Sequence, residues 1–167
     1  MQDNPVDHPP LRFTPIGTIH SPYTDPVGMP IQPAGAKGVR GTVVLDEKFL
    51  GGLRDIEGFS RLILIYAFHR SNGYSLEVIP YLDTVPHGVF ATRAAKRPNA
   101  IGLSIVRLVS VNGSELIIED VDILDGTPLL DIKPYVPAFD CFPDAKAGWF
   151  DSCCDKVTTV RSDRRFH

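Results

Sequence analysis

Gly102-Leu103-Ser104-Ile105-Val106-Arg107-Leu108-Val109-Ser110-Val111-Asn112-Gly113-Ser114-Glu115-Leu116-Ile117-Ile118-Glu119-Asp120-Val121 is the stretch on which the fold turns. Two runs rich in Val, Ile and Leu, 102–111 and 115–121, flank Asn112-Gly113. Asn-Gly between β-rich runs is a strong hairpin signal. Upstream, Leu62 to Phe68 is continuously apolar, as in a strand buried on both faces or one forming a barrel wall. Phe13–His20, Gly41–Leu45 and Leu129–Ile132 read as further strands, and Tyr74–Tyr81 alternates moderately. Glu47–Ile56 reads as a short helix weakened by Gly51-Gly52. Strands dominate without regular strand–helix alternation. The expected fold is therefore mainly β, a single-domain barrel-like antiparallel sheet with minor helix.

The 167 residues suit one domain, and an apolar fraction of 43% supports a core. Fifteen Pro and fourteen Gly predict many short elements joined by turns. Ser21–Gly38 is dense in both and reads as an irregular loop of a length that often serves function. Residues 1–11 are expected to be a disordered leader, 12–145 the β-barrel domain, and 146–167 a polar tail whose Arg161, Arg164 and Arg165 lie on a solvated face. The leader has no apolar core, so it is not a signal peptide, and no apolar run approaches membrane-spanning length. The three cysteines, Cys141, Cys153 and Cys154, imply neither a disulfide framework nor a metal site. A soluble cytoplasmic protein without metal or membrane partner is expected. The net charge of −3 argues against a nucleic-acid coat but leaves room for a local basic patch.

Two segments carry chemistry. In Gly88–Ser104, the cations Arg93, Lys96 and Arg97 stand in a stretch stiffened by Pro98 and relieved at Gly102. That order suits a rigid loop aiming cations at an anionic ligand. In Asp122–Tyr135, Asp125-Gly126 marks a tight turn and Pro128 stiffens the chain beyond it. Asp131 and Lys133 interleave there with Leu129, Leu130 and Ile132. Two rigid turns of opposite charge resemble two walls of one site. His69-Arg70, after the apolar run, brings polar groups to a rim. Neither a Gly-x-Gly-x-x-Gly fingerprint nor a P-loop occurs, which excludes the usual dinucleotide and nucleotide motifs.

The blocks GVFATRAAKRPNAIGLS (88–104) and DILDGTPLLDIKPYVP (122–137) resemble the two signature blocks of the TsaA-like (YaeB/TrmO-type) family. Further matches are IGTIHSPY (16–23), IQPAGAKG (31–38) and DIEGFSRLILIYAFHRS (55–71). The resemblance implies a non-Rossmann methyltransferase that uses S-adenosyl-L-methionine to methylate N6 of threonylcarbamoyladenosine 37 in tRNA. It also implies a homodimer with the cofactor near the subunit interface. By motif position, Pro33, Ala34, Gly35, His69, Arg70, Arg97, Leu108, Asp125, Gly126, Thr127 and Pro128 would bind the cofactor. Two positions depart from the pattern: Ala100 stands where proline usually follows Arg-Pro-Asn, and Ile31 replaces a basic residue. The chain is also expected to lack the longer C-terminal domain of some bacterial members.

Methyl transfer from a sulfonium is an in-line displacement that rests on positioning. The adenine N6 lone pair is delocalised, so a proton acceptor beside N6–H would help. Asp125 or Asp131 could serve, although Asp131 could equally pair with Lys133 or Arg97 as structure. Lys133 and Tyr135 are candidates to hold the threonyl carboxylate or stack on a splayed base. Arg93, Lys96 and Arg107 are candidate phosphate contacts. The same scaffold with another acceptor, or a non-catalytic S-adenosylmethionine-binding module, are the alternatives.

Overall fold

The structure, a computed structural model, describes residues 10–166, so most of the expected leader lies outside it. Among the described residues eight strands run in chain order as β1 (Gly17–His20), β2 (Arg40–Leu45), β3 (Arg61–Ala67), β4 (Glu77–Val78), β5 (His87–Gly88), β6 (Ile101–Asn112), β7 (Glu115–Glu119) and β8 (Thr127–Pro134). Six of them close into an antiparallel barrel in the order β1-β2-β7-β6-β3-β8, while β4 and β5 pair separately.

The hairpin expected around Asn112-Gly113 joins β6 to β7, with Asn112 opposite Glu115. Gly113 takes φ +60 while Ser114 stays at negative φ, the pattern of a turn with glycine in its first central position. The β7 run stops earlier than its apolar pattern because Asp120 adopts φ +67. β3 resolves the two readings of the apolar run in favour of a barrel wall. Leu62, Leu64 and Tyr66 point into the core, whereas Ile63 and Ile65 are half-buried on the outer side. The interior is filled by Ile19, Val43, Leu62, Leu64, Val106, Leu116, Ile118 and Leu129, all 0% exposed.

Corrections to the predicted elements are local. Phe13–Ile16 does not join β1, whose pairing with β2 begins at Gly17. Glu47–Ile56 forms no α-helix but 3-10 turns over Glu47–Leu53 and Ile56–Gly58, as the Gly51-Gly52 interruption favours. Only Glu77–Val78 of the Tyr74–Tyr81 segment is strand.

The C-terminal segment has no regular periodicity, yet it is seated on the domain. Arg161 bridges Pro30, and the Ser162 hydroxyl donates to Pro26 O at 2.5 Å. Phe166 is buried with Val78 and Val89 and meets Tyr81 edge-on at 5.0 Å. The Trp149 indole donates to Ala91 O at 2.8 Å and stacks on His87 at 4.6 Å.

Candidate active site

β3 ends, and β6 and β8 begin, at the same end of the barrel. Above them opens a cleft of about 1160 Å³. Its walls come from the Pro/Gly loop, the end of β3, the start of β6, the turn before β8, the loop 90–97 and the C-terminal segment, and its lining continues past Leu103 and Ile105 of β6 to Arg61 and Tyr135, at the opposite ends of β3 and β8.

Six residues expected to bind a cofactor line this cleft: Pro33, Ala34, His69, Arg70, Arg97 and Thr127. Each group has a definable state. The Thr127 hydroxyl donates to Leu124 O at 2.7 Å, so it faces His69 Nδ1 at 3.3 Å as an acceptor. The imidazole proton then sits on Nδ1 and leaves Nε2 an acceptor. Burial, reinforced by the Arg70 charge, pushes His69 below its ordinary pKa and keeps it neutral at neutral pH. Arg97 Nη1 donates to Thr92 O at 2.8 Å and to Val89 O at 3.1 Å, clamping its own loop. Its other guanidinium nitrogens have no hydrogen-bond partner among the described residues.

The remaining expected residues lie elsewhere. Gly35 stands behind the wall: a Cβ there would meet Val157 O at 3.0 Å. Asp125 is tied to the loop after β1, accepting from Ser21 N and from His20 Nδ1, both at 3.1 Å. The Ser21 bond, then the His20 contact, holds its carboxyl below the ordinary carboxylate range. Gly126 and Pro128 flank Thr127 without lining the cleft. Leu108 lines a separate depression on the barrel wall with Phe59 and Val109.

Of the four acceptor-side candidates, Tyr135 alone lines the cleft. Asp131 is paired with Lys133 at 2.7 Å and accepts from Ile132 N, so the structural pairing holds for both of those residues. Arg107 is likewise paired with Glu119, which also receives Arg40. In contrast, Arg93 lines the cleft and donates to Gln32 Oε1 at 3.0 Å.

Sequence reasoning missed the cleft's one carboxylate among the described residues, Asp122. Ser104 Oγ donates to Asp122 Oδ1 at 2.6 Å, and Tyr66 Oη lies 3.0 Å from Ser104 Oγ. With the Ser104 proton given to Asp122, Tyr66 is the donor to Ser104. Burial pushes Asp122 up from 3.8 to about 6, against the Ser104 bond, its own backbone N–H and the distant Arg93 charge. Burial also raises Tyr66 and keeps it a neutral phenol. Asp122 opens a signature block, but its sequence neighbours give no hint that Ser104 and Tyr66 converge on it.

The cleft fits S-adenosyl-L-methionine by its donor set. Cations stand ready for a carboxylate, His69 and Thr127 offer polar edges, and Met29, Phe68 and Phe90 supply apolar surface for a purine. Among the described residues no group of three His, Cys, Asp or Glu is placed to hold a metal ion. No helix among them is long and apolar enough to cross a membrane.

The family model described as tRNA-methyltransferase O N-terminal domain matches residues 18–141. A probable S-adenosyl-L-methionine-binding protein of Pyrococcus abyssi is 54% identical over 93% of this chain and 85% of its own length. The tRNA (adenine(37)-N6)-methyltransferase of Escherichia coli is 36% identical over 85% of this chain and 65% of its own. A crystal structure of TrmO from Pseudomonas aeruginosa superimposes with TM-score 0.71 at 39% identity, covering 84% of this chain and 62% of that one. The chain thus spans just under two thirds of the last two proteins.

Proposed function

Since the chain belongs to the family of the tRNA-methyltransferase O N-terminal domain, we propose that it is an S-adenosyl-L-methionine-dependent tRNA (adenine-N6)-methyltransferase acting at position 37. Threonylcarbamoyladenosine is the proposed acceptor. The observation that carries the reading is convergence: Pro33, Ala34, His69, Arg70, Arg97 and Thr127, from separate stretches of the chain, meet on one cleft.

When bound, the cofactor supplies a methyl group on a sulfonium, and the protein's part is to hold donor and acceptor in line. The free guanidinium nitrogens of Arg97, with Arg70, hold the methionyl carboxylate. Neutral His69 and the Thr127 segment take the nucleoside edges. Arg93 and Lys96 face the anionic tRNA, and Tyr135 offers a stacking surface to a splayed base.

A homodimer in the cytoplasm is part of the proposal. The dimer is supported by outward-facing Ile101, Leu103 and Val109 on β6, each more than a third exposed, of which Ile101 and Leu103 also line the cleft. Leu108, away from the cleft of its own subunit, would then serve a cofactor near the interface.

The test is transfer of label from S-adenosylmethionine to tRNA with and without the threonylcarbamoyl group. Label on the modified tRNA alone is the expected result. Label on both moves the acceptor to unmodified adenosine. Cofactor binding without transfer would make the protein a binding module.

A further inference from the structure

The geometry points to Asp122 as the proton acceptor for the methylated nitrogen, held in place by Ser104 and, through it, by Tyr66. This rests on the N6-methyltransferase reading above.

Among the described residues Asp122 is the one acid lining a cleft otherwise charged by arginines, and it forms no ion pair with any of them there. Its side-chain partner is Ser104, at 2.6 Å, and Ser104 takes its own donor from Tyr66. Both come from inside the barrel. Ser104 is 1% exposed and Tyr66 5%, so water does not compete for this chain of bonds. Ser104 therefore approaches Asp122 from the core side and holds one carboxylate oxygen, with Tyr66 behind it. Asp122 itself is among the residues that line the cleft.

An amide-like N6–H entering the cleft needs such a group. Its lone pair is delocalised into the ring and the attached carbonyl, so it attacks only as the proton leaves. In the step, the N6–H proton passes to the Asp122 carboxylate and the freed electron pair forms the N–CH3 bond. The methyl–sulfur bond breaks, and its electron pair stays on sulfur, which becomes a neutral thioether. The carboxylate ends protonated and returns its proton to water. No oxidant, metal or further reactant enters. Asp125 and Asp131, the carboxylates to which sequence reasoning points, are tied to Ser21 and His20 or to Lys133, outside the cleft lining.

Ser104 and Arg93 act on the titration of Asp122, while Tyr66 and Tyr23 feel its charge. Ser104 on β6 and the Arg93 charge favour the anion, Tyr66 on β3 feeds Ser104, and Tyr23 after β1 is a neutral neighbour. Burial outweighs them and leaves the carboxyl poised near the operating pH, as a general base requires.

The deciding experiment uses the full chain with Asp122→Asn and Ser104→Ala. It follows turnover on modified tRNA against pH, cofactor affinity by calorimetry, and the ¹³C titration of the Asp122 carboxyl in labelled protein without cofactor. Asp122→Asn is expected to lower kcat at least about a hundredfold, abolish the limb that rises with pH, and leave cofactor affinity within about threefold. Ser104→Ala keeps the carboxyl but loses a donor to its anion. Its rising limb and its ¹³C titration should both move to higher pH, and this variant decides the matter if the Asn variant does not fold. An unchanged kcat in Asp122→Asn overturns the role. So does a loss of cofactor affinity as large as the loss of turnover, which would make Asp122 a cofactor ligand. If wild-type protein transfers no methyl to either tRNA, the activity itself falls and this role with it. Wild-type transfer with an unaffected Asn variant removes the role of Asp122 alone.

Discussion

The Tyr66 ring lies across the backbone of Gly102, its registered partner between β3 and β6. A Cβ added at Gly102 would sit 2.2 Å from Tyr66 Cε2 and 2.9 Å from Phe68 Cζ. The glycine near the end of the block 88–104 is therefore explained by a ring rather than by a turn. It lets the phenol lie flat enough to reach Ser104, two residues further along the same inward face of β6. Gly102→Ala must displace a ring that is 5% exposed and packed edge-on against Phe68 at 5.6 Å. The expected cost is about 1–3 kcal/mol, read as a lower midpoint in denaturant unfolding, with loss of the Tyr66–Ser104 bond. An unchanged midpoint would mean that the ring relocates without strain.

Asp122 makes a stability prediction independent of activity. Its folded pKa is raised from 3.8 to about 6, so the folded state binds the proton more tightly than the unfolded chain does. Between those values the native protein holds more protons, and stability must fall as pH rises. The full effect is roughly 3 kcal/mol at about 1.4 kcal/mol per unit, complete above about pH 6. Asp122→Asn removes it. The difference in unfolding free energy, variant minus wild type, should grow more favourable to the variant from pH 4 to about 6.5 and then level off. A flat difference would show that the carboxyl is not desolvated in the folded state. A more stable but inactive variant is the pattern expected of a functional group kept at a cost to the fold.

Much of the barrel is legible in the sequence because period and turn chemistry are local. Leu62–Phe68, the β6–β7 hairpin and Leu129–Ile132 declare themselves through β-branched runs and an Asn-Gly pair. The strand ends are not legible where a single backbone angle decides, as at Asp120. Part of the candidate site is legible as well, in that His69, Arg70, Arg97 and Thr127 meet on one cleft. What could not be read was which charges are already engaged. Lys133 engages Asp131 from two residues along the same strand, and Glu119 engages Arg107 across the β6–β7 hairpin, pairings that the strand pattern allows but does not choose; Asp125 meets Ser21 only because β1 pairs with β8. The same holds for the Tyr66–Ser104–Asp122 chain, whose members are 18 and 38 residues apart in sequence.

The C-terminal segment walls one side of the cleft through Trp149, Phe150 and Val157. Trp149 fastens it with one hydrogen bond to Ala91 O and a stack at 4.6 Å on His87, which Asp83 in turn holds at 2.9 Å. Together these are worth about 1–3 kcal/mol of local docking. Trp149→Ala should expose the segment to proteases while the barrel stays intact, and lower cofactor affinity by about three- to tenfold. Limited proteolysis followed by mass spectrometry, with calorimetry on the same sample, checks both. Faster cleavage without loss of affinity would show that the wall is cosmetic to binding.

Arg97 has two tasks that substitution can separate. Its Nη1 atom clamps Val89 O and Thr92 O, while its remaining nitrogens are open to a ligand carboxylate. Arg97→Ala should therefore cost about 1–2 kcal/mol of stability from the clamp. It should also weaken cofactor binding about ten- to a hundredfold through loss of a charge-assisted contact. Arg97→Lys keeps a cation but not the fork, so it should recover part of the affinity and little of the clamp. Calorimetric titration of the three proteins with S-adenosylmethionine, alongside their unfolding curves, reads the two tasks apart. If Arg97→Ala loses stability but binds the cofactor as the wild type does, Arg97 is a loop clamp and the carboxylate belongs to Arg70.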